Sequence, residues 1–327
     1  MKTAFITGAT GFVGLNLTKL LLEKGWKVIA LHRKTSNLKY LGQTNAQLCV
    51  GTITDKASLS AAMPQRADAV FHVAANTSMW SKMNDRQYED NVTGTKNMVE
   101  IALEKNVGRF IHTSSVSAFG HHDDRIDETV ISNALHSPVN YNKTKFLAEQ
   151  EVEKALQNGL DAVILNPCDI MGPYDSHNWS QMILAVYNDD VPGIPPGNGS
   201  FCHVRDIAEA HLAAYQKGRT GERYLLSGVD ATFQEVFNLI EKMMDKKEST
   251  MVMPMFVMRL AMIGYWLQSK FNGREPILTP EKITELTVPK SADSSKAQQE
   301  LGYRISPLET SIRDSYEWLK QEDLLKR

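Results

Sequence analysis

Apolar runs recur along the first half of the chain, and a stretch of helical length follows most of them. The runs are KTAFITG (2–8), KVIALH (27–32), AQLCVG (46–51), DAVFHVA (68–74), RFIHTSS (109–115) and DAVILNP (161–167). Stretches 12–24, 57–63, 84–106 and 141–158 are the intervening helix candidates. A strand that is apolar on both faces needs cover on both faces, and helices that link parallel strands provide it. The pattern therefore predicts an α/β chain built on a doubly wound parallel sheet.

After Pro167 the alternation loosens. GPYDSHNWS and VPGIPPGNGSF are loops rich in Gly, Pro and Asn. One late strand, ERYLLSG (222–228), interrupts helical segments at 205–217, 232–246, 254–270 and 307–320. Residues 1–166, with returning segments near 201–228, are read as a dinucleotide-binding lobe. Residues 167–200 and 229–327 are read as a smaller, mixed substrate-binding part. It is expected over the carboxyl ends of the strands, where open α/β sheets bind ligands.

The first crossover carries the strongest local signal. TGATGFVG (7–14) follows the first strand and opens the first helix. Gly8 permits a tight turn, Gly11 lets a pyrophosphate approach the backbone, and Gly14 lets the helix pack closely on the strand. The helix start offers free N–H groups to phosphates, which places Thr10, Phe12 and Val13 beside them. This is the loop of a Rossmann-type fold. The second strand ends in LHRKTSN, with Arg33 and Lys34 and no acid. A guanidinium suits a 2′-phosphate, so NADP(H) is favoured, with NAD(H) as the alternative and a solvated basic loop as the plain reading.

Composition narrows the partners. The formal net charge of −2 offers no overall electrostatic basis for nucleic acid or an anionic membrane. Cys49, Cys168 and Cys202 are far apart and form no C-x-x-C, which argues against a disulfide framework or metal site and for a reducing cytoplasm. MKTAFITGATG meets glycine too early for a signal peptide. The apolar stretch 251–271 is interrupted by Arg259 and falls short of the roughly 20 residues of a membrane span. It is expected as a buried or half-buried helix, with cover over an apolar ligand site or weak interfacial binding as alternatives.

Two tyrosine–lysine pairs share i, i+4 spacing: YNKTK (141–145) and YEWLK (316–320). The second lies in a helix whose Ile312, Tyr316 and Leu319 form an apolar stripe beside Trp318, as in ordinary packing. The first opens the helix before the sixth strand, close to where the fifth ends in TSS.

With these motifs in order, the chain resembles the extended short-chain dehydrogenase/reductases, the NAD-dependent epimerase/dehydratase family. The likeness rests on TGATGFVG, FHVAAN (71–76), NVTGTKNMVEIA (91–102), FIHTSSVSAFG (110–120), YNKTK, NPCDIMGP (166–173) and FCHVRDIAEAH (201–211). Arg33 and the GREPILTPEK stretch (273–282) look most like the dihydroflavonol reductase-like branch, which reduces ketones or aldehydes with NADPH. The resemblance implies Ser115, Tyr141 and Lys145 as catalytic residues, with Asn91 supporting a proton relay. It also implies cofactor contacts from Thr52, Ile53, Ala74, Ala75, Thr113, Tyr141, Lys145, Pro167 and Ile170. Thr52 stands where the family often has an acid for the adenine amino group.

The residue types suit the task. Reducing a carbonyl creates an alkoxide that must be protonated. A tyrosine of pKa about 10 is a sluggish donor near neutrality unless a nearby ammonium lowers it, the role given to Lys145. Lys145 would also hold the nicotinamide ribose, and Ser115 would orient the substrate oxygen. Ser114 rivals Ser115, because adjacent strand residues face opposite ways. The substrate is expected to be a small, partly apolar carbonyl compound, and a homodimer is open through helices near 91–106 and 141–158. Two other readings remain. A sugar-nucleotide epimerase would need cations for a diphosphate, and Arg205, Arg219, Arg223 and Arg274 are candidates. A non-catalytic NADP sensor is the other, and the intact Ser115, Tyr141 and Lys145 set weighs against it.

Overall fold

The computed structural model describes residues 1–191, 193–248 and 251–325, so Pro192 of the second loop and the last two residues lie outside it. Ten strands form: β1 Thr3–Thr7, β2 Lys27–His32, β3 Gln47–Val50, β4 Ala69–His72, β5 Arg109–Thr113, β6 Ala162–Pro167, β7 Asp169–Met171, β8 Asn198–His203, β9 Arg223–Leu226 and β10 Val229–Thr232. Seven make one sheet in the order β3-β2-β1-β4-β5-β6-β9, and every pairing in it is parallel. The chain winds outward from β1 to β3, then returns to place β4 on the other side of β1. This reversal is the switch point where carboxyl strand ends open a crevice.

Strand alternation explains the two layers. Ala4 and Ile6 of β1 face a core with Leu15, Leu17 and Leu21 of helix Phe12–Glu23 and Ile207 of helix Val204–Lys217. Phe5 between them faces Leu59, Met98 and Val152, from helices Lys56–Ala62, Gly94–Glu104 and Asn140–Gln157. The doubly wound parallel sheet is thus the expected one.

The smaller part has its own sheet, β10-β8-β7, with β8 antiparallel to β10 and parallel to β7. Helices Ser180–Tyr187, Phe233–Met243 and Leu308–Gln321 cover it. Trp179 stacks on Phe233 at 5.5 Å between ring centres. β8 lies in a stretch read from sequence largely as loop: its Gly199 and short polar residues hide a strand that only its sheet partners stabilise. Segment 201–228 thus leaves the small sheet, forms helix Val204–Lys217 and rejoins the large sheet as β9. Ala297 and Leu301 of helix Ser295–Leu301 pack in the large-sheet core, not the small one. The YEWLK pair sits as its stripe implied: Ile312, Trp318 and Leu319 are buried and Lys320 is exposed.

The stretch 251–271 forms helix Met255–Asn272, and of the two expectations the half-buried one fits. Met258 and Ser269 are buried and Met255, Val257, Ala261, Met262 and Tyr265 are partly covered, while Phe256 is 67% exposed, Leu260 64% and Phe271 91%. Nothing among the described residues packs on its outer face. The segment is tied down at its flanks instead. Met253 N–H donates to the Ile194 carbonyl at 2.8 Å, and Thr279 Oγ1 donates to the Met79 carbonyl at 2.6 Å. No helix among the described residues is long and apolar enough to cross a membrane.

Leu319→Ala should therefore cost about 2–5 kcal/mol in urea unfolding. Leu267→Ala, on the outer helix, should change stability by less than about 0.5 kcal/mol. Comparable losses at both sites would show that the outer helix is packed after all.

Candidate active site

The glycine loop has the close contacts the motif demands. Gly8 has φ +73°, and a Cβ there would lie 2.7 Å from the Ala74 amide nitrogen. A Cβ on Gly14 would lie 2.2 Å from the Gly8 carbonyl oxygen. Gly11 precedes helix Phe12–Glu23, which has no side-chain cap and no acid in its first turn. The N–H groups of that turn are left to a ligand, and the bare backbone of Gly8 lets the loop close on the exit of β4 at Ala74. These residues fit the cofactor.

Arg33 and Lys34 follow β2 and are exposed, with no ion-pair partner among the described residues. Thr52 follows β3, and its hydroxyl lies 3.1 Å from that of Thr54. Ile53 is buried, and its carbonyl accepts from Asn97 Nδ2 at 2.9 Å. Ala74 and Ala75 follow β4, Pro167 ends β6 and Ile170 lies in β7. All these positions except Ile170 lie at or just beyond the carboxyl ends of large-sheet strands.

Asn91 sits in a π-helical turn, Glu89–Thr93, inside the long helical stretch. Its Oδ1 accepts from the Asn76 N–H at 2.7 Å, and its Nδ2 donates to Thr144 Oγ1 at 3.0 Å. Thr144 in turn donates to the Tyr141 carbonyl at 3.0 Å. The Asn91 carbonyl accepts from Thr95 Oγ1 at 2.6 Å. Asn91 thus clamps the exit of β4 to the helix that bears Tyr141. A buried histidine extends the chain: His72 Nε2 is 3.0 Å from Thr95 Oγ1, and its Nδ1 is 2.8 Å from Thr7 Oγ1. Because Thr95 donates its hydroxyl proton to Asn91, His72 must donate through Nε2 and accept through Nδ1. Burial, aided by Lys145, lowers its pKa to about 3, so it is neutral.

Ser115, Tyr141 and Lys145 are brought together where β5 ends. Ser115 caps the short turn Val116–Phe119, its Oγ accepting from the Ser117 N–H at 3.1 Å. The Ser115 side chain lies beside Tyr141. Ser114 is turned into the interior beside Glu149. Lys145 is buried and donates to the Thr113 carbonyl at 2.7 Å. The Thr113 hydroxyl lies 2.7 Å from His211 Nε2. His211 Nδ1 must donate to the Ile207 carbonyl 2.7 Å away, so Thr113 spends its hydroxyl proton on His211.

The electrostatics depart from expectation at one point. Burial raises the Tyr141 phenol to about 12, the neighbouring Ser115 opposes this, and Glu285 adds to it. The Lys145 ammonium is turned to the Thr113 carbonyl. Burial lowers Lys145 itself to about 8, against the opposing pull of Glu149.

Several supporting residues went unread in the sequence. Asn166 of β6 donates to the Ser115 carbonyl at 3.0 Å and to Glu149 Oε1 at 2.6 Å. Glu149 pairs with Arg223 at 3.1 Å. Its i+4 spacing from Lys145 was the available signal. Elsewhere, Glu285 lies 2.9 Å from His121 and 3.2 Å from Lys290, which also reaches Asp169 at 3.4 Å. Burial would push Glu285 up, but His121 and Lys290 bring it to about 2. No motif marks this network, since its members come from three segments far apart in the chain.

Of the arginines named for a diphosphate, Arg219 and Arg223 lie at the amino edge of the large sheet, just before and at the start of β9. Arg219 pairs with Glu300 at 2.6 Å and Arg223 with Glu149 and Glu153. Both are on the wrong edge for a ligand at the switch point.

A parallel sheet wound about a glycine cradle, with Ser, Tyr and Lys at its carboxyl edge, defines a Rossmann-type NAD(P)-dependent oxidoreductase. Residues 4–227 match the NAD dependent epimerase/dehydratase family, and the chain belongs to that family, within the extended short-chain dehydrogenase/reductases. A Synechocystis protein provisionally named dihydroflavonol 4-reductase is 32% identical, with 98% of this chain and 96% of that protein covered. Sterol demethylase protein B of Methylococcus capsulatus is 28% identical over 99% of this chain and 100% of its own. The crystal structure of gox2253 superposes with a TM-score of 0.86 at 31% identity, with both chains covered completely.

Lys145 makes the site costly to stability. Between about 8 and 10.5 the unfolded lysine holds a proton that the folded one has released, so this group makes stability rise with pH there. Lys145→Met should stabilise the unliganded protein at pH 7 by up to about 3 kcal/mol. The difference should close above the ordinary lysine pKa. Urea unfolding at both pH values checks this, and a variant less stable at pH 7 would overturn it.

Proposed function

We propose that this protein is an NADPH-dependent reductase that converts a ketone or aldehyde to an alcohol. The observation that carries the reading is the meeting of Ser115 and Tyr141 where β5 ends, beside the glycine cradle, with Lys145 one helical turn further on. When bound, the nicotinamide supplies hydride to the carbonyl carbon. Ser115 donates a hydrogen bond to the substrate oxygen and orients it. Tyr141, protonated at neutral pH, gives its proton to the developing alkoxide. Lys145 exchanges its bond to the Thr113 carbonyl for the ribose of the cofactor. Asn91 keeps the helix of Tyr141 in register with the strand exit of Asn76. Arg33, exposed and unpaired, takes the 2′-phosphate, which favours NADPH over NADH.

Three further points support reductase over sugar-nucleotide epimerase. Arg219 and Arg223 are engaged at the far edge of the sheet. Two relatives matched over nearly their full length carry names of reductase and sterol chemistry. The helix around 255–272 and its flanks are rich in apolar side chains, which suits an apolar carbonyl compound better than a nucleotide sugar. The site lies mainly on residues 1–166 and the segments that return to the large sheet. The part built on the small sheet supplies the substrate side.

Tyr141→Phe should keep NADPH binding within about twofold and lose on the order of 100-fold or more in kcat, read by NADPH oxidation against a panel of aldehydes and ketones. Near-normal turnover would remove Tyr141 from the mechanism, and Tyr316→Phe serves as the control that should leave turnover unchanged. Arg33→Ala should weaken NADPH by about tenfold or more while leaving NADH nearly unaffected. Equal losses for both cofactors would refute the phosphate role.

A further inference from the structure

The outer face of helix Met255–Asn272 is apolar without interruption along one line. Phe256, Leu260, Ile263, Leu267 and Phe271 follow one another at spacings of four, three, four and four residues, so they share a face. Each is about half exposed or more, from 49% for Leu267 and 50% for Ile263 to 91% for Phe271. Trp266 borders the stripe, also 49% exposed, and Lys270 Nζ sits 4.8 Å over its ring. The charged residues of the helix are Arg259 and Lys270, both exposed, with no Asp or Glu from 255 to 272.

That charge pattern selects the occupant. A second copy meeting this face about a two-fold axis would present the same stripe to itself. Arg259 and Lys270 would then meet only like charge, with no acid on either helix to receive them. A surface that is apolar below and anionic above suits both sets of side chains. The aromatic and aliphatic groups enter the acyl boundary, while Arg259 and Lys270 extend to the headgroups. The helix is too short and too interrupted to span a bilayer, so it lies in the plane.

We propose that this helix docks the protein on an anionic lipid surface. Its setting gives the contact a use. Beyond the helix, Glu275 accepts from Ser78 Oγ at 2.8 Å, and Thr279 donates to the Met79 carbonyl. These bonds hold the following strap over the residues that leave β4, close to Asn76 and Asn91. A docked helix therefore keeps the switch-point crevice near the lipid. The net charge of −2 is no obstacle, because screening limits each charge to about 10 Å at ordinary ionic strength, so the local patch governs contact.

The test uses the full chain and vesicles, and needs no turnover, so it stands or fails apart from the reductase reading. Wild-type protein should sediment with vesicles of equal phosphatidylcholine and phosphatidylglycerol at low salt, and bind pure phosphatidylcholine at least about tenfold more weakly. Arg259→Gln with Lys270→Gln should weaken binding to the anionic vesicles by about tenfold or more. Leu260→Asp, Ile263→Asp and Leu267→Asp together should abolish sedimentation while leaving the melting temperature and NADPH binding unchanged. Wild-type protein that stays in solution with both vesicles would overturn the proposal. So would a triple variant that sediments like wild type. So would a wild-type dimer, seen by light scattering, that the triple variant converts to monomer without any vesicle binding.

Discussion

The approach of Gly14 to Gly8 is the constraint from which the rest of the site follows. Any side chain at either position would drive into backbone, at 2.2 Å in one case and 2.7 Å in the other. Only bare backbone lets the first helix begin directly above the end of β1 and beside the exit of β4. That closeness leaves the helix N–H groups uncapped at the crevice where the sheet reverses its winding. The positive φ of Gly8 belongs to the same turn, one that L side chains adopt only with strain.

From this point a line of buried hydrogen bonds carries order to the chemical groups. Thr7, His72, Thr95, Asn91 and Thr144 connect the ends of β1 and β4 to the backbone of Tyr141. The line works because His72 is neutral and its donor is set by Thr95. Asn166 does the same for Ser115 from the other side, while tethered to Glu149. Ser115 and Tyr141 are therefore held by buried polar groups behind them. Lys145 shows the opposing tendency: burial disfavours its ammonium, and that cost is retained for the sake of the site.

Much of this was legible from the chain. The β–α alternation named the large sheet, because buried parallel strands must be apolar on both faces. TGATGFVG named the cradle, because few other residues fit those turns. YNKTK was separable from YEWLK only through its neighbours, the strand ending in TSS and the helix leading to β6. β7, β8 and β10 were not legible, since they are short and take their order from cross-strand partners. Nor was the network of His121, Glu285, Lys290 and Asp169, whose members meet only after folding. The helix at 255–272 was read as buried or half-buried, and composition could not say which face would be covered.

The sequence by itself determined the winding of the sheet and the glycine cradle, and it offered Ser115, Tyr141 and Lys145 as the candidate set. Each depends on local geometry or on periodicity, which residues i to i+4 encode. Tertiary structure alone decided which way Lys145 points, how far burial raises Tyr141, and which apolar face stays in water. Those outcomes depend on desolvation and on contacts between distant segments, and no short stretch of chain contains them.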